Sequence, residues 1–286
     1  MAEKNRQRTK KEVSSKKNWF TILVIIICAV VFSVSAFKLF LIFNEYITAS
    51  DEYKSLASLI PHINRENPEG ERGTYEVNTG ESQGDAEENI VPAPVFMENV
   101  DWQSLYSTMY DINNDYQGWI YISNTKINYP IVQCGDNDYY LNHTFYNEEV
   151  FSACLFIDCR IENGIEGKNV IVYGHNMKDG SMFAGLKKFR DEDFRKRHPA
   201  FSVYTSTGAY EYQIFSTYTT SPESSTYTTA FADDDEFMNY INRVKGWSDV
   251  DYGVQVSPDD QIITLSTCVN NNKDRYVVHA KRIVNQ

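Results

Sequence analysis

Two stretches near the end of this 286-residue chain place a cysteine and an arginine where strands should meet. Gln261 to Cys268 is β-branched and apolar, residues 275 to 284 alternate between large apolar and polar side chains, and the asparagine-rich Val269 to Asp274 between them reads as a turn. Cys268 therefore closes one strand and Arg275 opens the next. If these strands pair directly, or lie one strand apart, the thiol and the guanidinium emerge at the same edge of a sheet. A cation there lowers the cost of a thiolate and can stabilise the oxyanion formed when sulfur attacks a carbonyl. Such chemistry also needs a proton carrier. The best-placed histidine is His175, because Asn169 to Tyr173 reads as a buried strand that ends at Gly174 and hands His175 to the loop.

Each of these residues has rivals. His62 lies outside the strand-rich part, His198 sits among Arg195, Lys196 and Arg197, and His279 falls mid-strand, which leaves His143, in the turn-like Leu141 to Phe145, as the alternative base. Lys273 and Arg282 compete with Arg275. Lysine carries the charge without the fixed fork of donors that an oxyanion and substrate carbonyls can use. A free cysteine is commonly just a buried apolar residue, but Cys134, Cys154 and Cys159 lack the strand-end setting of Cys268. Cys154 and Cys159 have no matching Cys or His pair, so no zinc site is expected. Ser266 precedes Cys268 by two residues and so points to the same face of its strand, placed to hydrogen-bond substrate or orient Arg275.

The elements that must carry these residues follow from pattern. From Gly118 on, β-branched and aromatic runs recur between turn signals, at Trp119–Ile122, Ile127–Val132, Phe151–Ile157, Val170–Tyr173, Phe201–Thr205, Tyr210–Tyr218, Val254–Val256, Ile262–Cys268 and Tyr276–Val284. This is the spacing of a mainly antiparallel barrel or sandwich. Leu105, Met109 and Ile112 give Val100 to Asn113 a helical stripe that Asp101 can cap. Asp233 and Glu236 form a capping box ahead of the stripe Phe237, Tyr240, Ile241 and Val244, so these acids begin a helix and lack the alternating spacing of a calcium loop.

Upstream, residues 1 to 17 carry seven lysines and arginines, and an uncharged run from Asn18 to Phe37 follows. That run is long enough to span a bilayer, and the basic cluster before it puts the preceding residues in the cytoplasm and the bulk of the chain outside. A cleaved signal peptide is the competing reading. Asn44 to Ile63 continues as a polar helix, and Asn64 to Asn89, rich in Asn, Pro, Gly, Glu and Ser, is a flexible spacer. The expected order is thus a basic tail (1–17), a transmembrane anchor (18–43), a juxtamembrane helix and linker (44–99) and a catalytic domain (100–286). A net charge of −12 with no basic stripe in the folded part excludes nucleic acid as a partner.

Thr264-Leu265-Ser266-Thr267-Cys268, Tyr173-Gly174-His175-Asn176-Met177 and Arg275-Tyr276-Val277-Val278-His279-Ala280-Lys281 together resemble the sortases, specifically class B. Gly118-Trp119-Ile120-Tyr121-Ile122, Ile127-Asn128-Tyr129-Pro130-Ile131-Val132-Gln133 and Asp136-Asn137-Asp138-Tyr139-Tyr140-Leu141 support the likeness, which covers roughly residues 100 to 284. It implies a mainly β fold, a closed eight-stranded barrel with a helix packed ahead of it and a helix in the insertion before the last strands. It also implies a membrane-anchored cysteine transpeptidase with Cys268 as nucleophile, His175 as proton carrier and Arg275 as oxyanion stabiliser, and no cofactor or metal. The substrate would be a secreted protein bearing a C-terminal Leu/Asn-Pro-x-Thr-Gly/Asn-like sorting signal, cut after threonine and passed to an amine of cell-wall peptidoglycan or to a pilin lysine. A membrane-tethered cysteine protease that gives the acyl group to water shares the chemistry up to the thioester. A barrel kept only as a surface-binding module is the remaining alternative.

Overall fold

The computed structural model describes residues 2–59, 74–75, 91–92, 101–150 and 153–283. The spacer read at 64–89 falls outside the described residues apart from Thr74–Tyr75, which pairs antiparallel with Val91–Pro92. The first helix, α1 (Ala2–Leu59), is unbroken. Its residues to Thr48 form a unit of their own, whereas Ala49 onward belongs to the compact unit that contains everything downstream. Within the first unit, Trp19–Leu41 is a 23-residue apolar stretch, long enough to cross a membrane.

Eight strands close into a barrel: β1 (Tyr116–Tyr121), β2 (Asn128–Val132), β3 (Leu155–Ile157), β4 (Asn169–Tyr173), β5 (Ala200–Thr205), β6 (Gly208–Thr220), β7 (Ile262–Val269) and β8 (Asp274–Ile283). Around the barrel the order is β8, β6, β5, β1, β2, β3, β4, β7 and back to β8. Two neighbouring pairs, β2 with β3 and β4 with β7, are parallel, and the other pairs are antiparallel. The mainly β class and the eight-stranded closure agree with expectation. Closure leaves no free edge, which is how an all-β domain avoids pairing with other chains.

The helices read from pattern form where their caps start them. In α2 (Trp102–Ile112) the Asp101 carboxylate accepts the Ser104 amide, and Trp102 stacks on Tyr204 of β5 with ring centroids 4.1 Å apart. A short helix, α3 (Glu192–Arg197), follows a 3-10 segment at Phe183–Arg190. In α4 (Asp234–Gly246) the Asp233 side chain accepts the Glu236 amide, and the Glu236 carboxylate reaches back to the Ala232 amide rather than to Asp233. Phe237, Tyr240, Ile241 and Val244 then bury against Phe215, Tyr218, Ile262 and Val277 of the strands. At about 1.5–3 kcal/mol for each large apolar side chain, this stripe secures the insertion to the barrel wall.

Val254–Val256 is not a strand. Its carbonyl at Val254 accepts from the Lys245 ammonium, and Val256 is buried in the α4 cluster. The β-branched pair there serves packing beneath a helix, and a closed barrel offers the segment no partner. Of Phe151–Ile157, only Leu155–Ile157 pairs as a strand, with residues 151–152 outside the described set.

Candidate active site

β7 and β8 are joined by a tight turn, and their antiparallel register sets Cys268 directly opposite Arg275. Cross-strand partners project from the same face of a sheet, so the thiol and guanidinium share a surface. The turn explains its own composition. Asn270, Asn271 and Asn272 all adopt positive φ, 51°, 55° and 67°, a region that asparagine tolerates better than most side chains. The resulting curl turns the Asn272 carbonyl toward Arg275, whose Nη1 donates to Asn272 O (3.0 Å) and Asp274 O (3.1 Å). The guanidinium is thereby aimed by main chain, which leaves its remaining donors for another group.

β4 runs parallel to β7 on the other side, with Tyr173 paired to Ser266. The Gly174 amide continues the ladder by donating to the Ser266 carbonyl at 3.1 Å. His175, two residues beyond Tyr173, therefore comes level with Cys268, two residues beyond Ser266. Gly174 must be glycine here, because a Cβ would lie 2.4 Å from Leu155 Cδ2 and 2.6 Å from Phe183 Cδ2. The segment is stitched down further. Thr267 Oγ1 donates to Gly174 O at 2.8 Å, Asn176 Nδ2 to Cys268 O at 2.7 Å, and the Phe183 amide to His175 O at 2.9 Å. The ring itself is held at Nε2, 2.7 Å from the Leu141 carbonyl, as a donor to that oxygen. Thus three adjacent strand ends present histidine, cysteine and arginine in one row, all half-buried.

The wall beside this row is polar and rigid. Tyr227, at the end of the 3-10 turn Ser225–Tyr227, hydrogen-bonds through its hydroxyl to Ser266 Oγ at 2.9 Å. Burial pushes the Tyr227 phenol pKa up, opposed by that hydrogen bond and by the nearby Arg275 charge, while Cys268 adds to the rise. Ser266 is buried and already bonded to Tyr227. Behind it, Asp158 has no side-chain exposure yet receives Arg160 (2.6 Å for the ion pair), the Tyr173 hydroxyl (2.8 Å) and Asn137 (3.3 Å). Burial alone would raise the Asp158 pKa, but the Arg160 donors, with those of Tyr173 and Asn137, bring it down to about 2. Arg160 also donates to the Tyr227 carbonyl at 3.3 Å, so one ion pair holds both the strand leading to His175 and the turn beside Cys268.

The arrangement can do acyl transfer: a thiol for attack, an imidazole for proton movement and a fixed cation for developing negative charge. Comparison with known proteins decides the family. A model of the Sortase domain matches residues 120–283. The chain belongs to the sortase family. It is 43% identical over 175 residues to sortase B of Listeria monocytogenes, a match covering 60% of this chain and 71% of that protein. A solved Bacillus anthracis protein similar to sortase B superposes with a TM-score of 0.64 at 31% identity, covering 84% of this chain and 98% of the other. A Staphylococcus aureus sortase B–substrate complex gives 0.61 at 32% identity, covering 64% and 87%. These relatives are of class B, and the chain is a sortase-type cysteine transpeptidase.

In the sortase barrel the rival residues have other surroundings. His143 stacks on Tyr139 at 4.0 Å with its Nδ1 2.8 Å from the Tyr139 carbonyl, and it lies on the segment that holds His175 rather than in the row. His198 is bonded to Ser123 and Asn124. His279 is enclosed between Thr264 and Tyr218. Arg282 pairs with Glu166 toward the far end of β8, and His62 lies outside the described residues. The Cys154 thiol is buried, which pushes its pKa up to about 12.

Sequence reading missed Leu141, Asn176, Tyr227 and the Asp158–Arg160 pair. Leu141 acts through its main chain, which leaves no trace in residue type. Asp158 and Arg160 did leave a signal, an acid and a base two apart just after a strand.

Proposed function

We propose that this sortase cleaves a C-terminal sorting signal of the Leu/Asn-Pro-x-Thr-Gly/Asn kind after its threonine and transfers the new carboxyl end to an amine of cell-wall peptidoglycan. Cys268 attacks the threonine carbonyl, forming a C–S bond. Arg275 stabilises the oxyanion, and the C–N bond then breaks as His175 protonates the departing amine. The acceptor amine attacks the thioester, gives a proton to His175 and releases the thiolate as the new amide forms. Ser266, through its hydroxyl partner Tyr227, orders the wall along which the extended peptide lies. No cofactor takes part. The apolar Trp19–Leu41 stretch anchors the enzyme, with the basic residues before it on the cytoplasmic side and the catalytic domain outside, where secreted substrates and wall amines are found.

The observation that carries this reading is the register that sets Cys268 opposite Arg275 while the β4–β7 ladder brings His175 level with both. Its test is mass spectrometry of products from a sorting-signal peptide, with and without an added peptidoglycan-type amine. Amide product that requires the amine supports transpeptidation. Free acid formed at the same rate with or without amine would make the enzyme a protease, and product on a pilin lysine alone would make it a polymerase of pilins.

A further inference from the structure

The end of α1 touches the catalytic unit at two places, and both lead to His175. Ala49, Tyr53 and Leu56 recur at helical spacing and are buried, Leu56 completely. Tyr53 packs edge-on against Tyr129 of β2, with centroids 5.3 Å apart and planes at 82°. The Tyr129 hydroxyl in turn accepts the Met182 amide at 3.3 Å. Met182 sits at φ 50°, ψ −135°, a conformation unusual for a side chain of its size, and it bridges to Asn176. The next amide, Phe183 N, is the one that binds the His175 carbonyl. Tyr53 therefore supports, through Tyr129, the turn that returns from His175.

The second path starts one residue earlier. The Glu52 carboxylate accepts the Tyr146 amide at 3.2 Å. Tyr146 belongs to a loop closed on itself, with Val150 N on Asn142 O at 2.9 Å and His143 bridged to Glu149. Leu141, beside that closure, supplies the carbonyl that fixes His175 Nε2. The helix end thus reaches the two segments that hold the histidine, one through an aromatic contact and one through a charge-assisted hydrogen bond.

We propose that Ala49–Leu59 is a positioning element of the active site, with Tyr53 and Glu52 fixing the imidazole of His175 from behind the barrel wall, in addition to tethering the catalytic unit. The proposal rests on the transpeptidase reading for its kinetic consequences only. Mispositioned imidazole alters proton transfer in the transition state and leaves peptide docking on the Tyr227 wall intact, so kcat should fall while KM holds.

The test uses the full chain in detergent micelles and the variants Tyr53→Ala, Tyr53→Phe and Glu52→Ala. Two readings are taken: kcat and KM with a sorting-signal peptide plus amine, and the pH dependence of Cys268 alkylation by iodoacetamide, which needs no substrate. Tyr53→Ala is expected to lower kcat about tenfold with KM within twofold, and to shift the alkylation profile. Tyr53→Phe, which keeps the ring against Tyr129, should restore both. Should Tyr53→Ala fail to fold, Glu52→Ala decides by the same two readings. Unchanged kcat and an unchanged alkylation profile in the folded variant would overturn the proposal and leave the helix end a tether. If wild type makes no amine-dependent product, the transpeptidase reading fails, and the alkylation comparison still tests the positioning.

Discussion

The side-chain amide of Asn176 donates to the main-chain carbonyl of Cys268 at 2.7 Å, so the residue after the candidate proton carrier is bonded to the candidate nucleophile itself. Neighbouring strand ends are free to splay where a ladder stops. This bond, with those from Thr267 and Phe183, prevents it at the one place where spacing matters. Asn176→Ala should leave the fold in place, costing about 1 kcal/mol of stability for the lost hydrogen bond, and should lower kcat by about tenfold as His175 drifts relative to Cys268. Steady-state kinetics beside a denaturant melt checks both numbers. Wild-type kcat in a variant of lowered stability would mean that the stitch serves folding alone.

Arg275 invites a sharper substitution. Its Nη1 is committed to Asn272 and Asp274, which fixes the plane of the guanidinium and the direction of its other donors. Lysine keeps the charge but has no second donor arm to hold onto the turn. Arg275→Lys should therefore lower kcat about a hundredfold, roughly 3 kcal/mol in barrier, with a smaller change in KM. A rise in KM with kcat untouched would make Arg275 a docking residue instead.

His279 sets a limit at low pH. It is fully buried, bonded to Thr264 Oγ1 at 2.9 Å and to the Tyr218 hydroxyl at 3.0 Å, and burial pushes its pKa down to about 3. The folded state keeps this ring neutral while the unfolded chain protonates it near the usual histidine value of about 6.5. Stability from this group is complete above that value and falls by about 1.4 kcal/mol for each pH unit below it, until the folded pKa is reached. Burial pushes the Glu211 carboxyl up to about 7, which adds stability as pH falls over the same range, so the His279 slope is read as the difference between wild type and His279→Gln in urea melts from pH 7 to pH 4. His279→Gln should start less stable at pH 7 and lose stability less steeply than wild type as pH falls, with His198, pushed down chiefly by burial, and Glu211 acting alike in both proteins. An unchanged slope in the variant would place the acid sensitivity elsewhere.

The barrel was legible because period-two patterning, turn residues and caps all act locally. Turn signals between the β-like runs could be read as boundaries, and Asp101, Asp233 and Glu236 announced their helices. The cysteine and arginine were legible for a related reason: a short turn leaves two strand ends little choice but to face each other. What stayed hidden was chemistry carried by main chain or by distant packing. The Leu141 carbonyl looks like any other in a sequence, Val254–Val256 has strand composition because it is buried under α4, and the contact of Tyr53 with Tyr129 joins residues far apart in the chain. Ala49–Leu59 read as part of a polar juxtamembrane helix because only Ala49, Tyr53 and Leu56 are buried, a stripe too sparse to stand out.

The central claim is that Cys268 carries the acyl group. Intact-protein mass spectrometry after mixing the enzyme with a sorting-signal peptide in the absence of amine, followed by peptide mapping, measures it directly. A mass increase equal to the peptide up to its threonine, located on Cys268, absent in Cys268→Ala and discharged by added amine, is the expected result. No adduct under conditions where the peptide is nevertheless cleaved, or an adduct on Cys134 or Cys159, would contradict it.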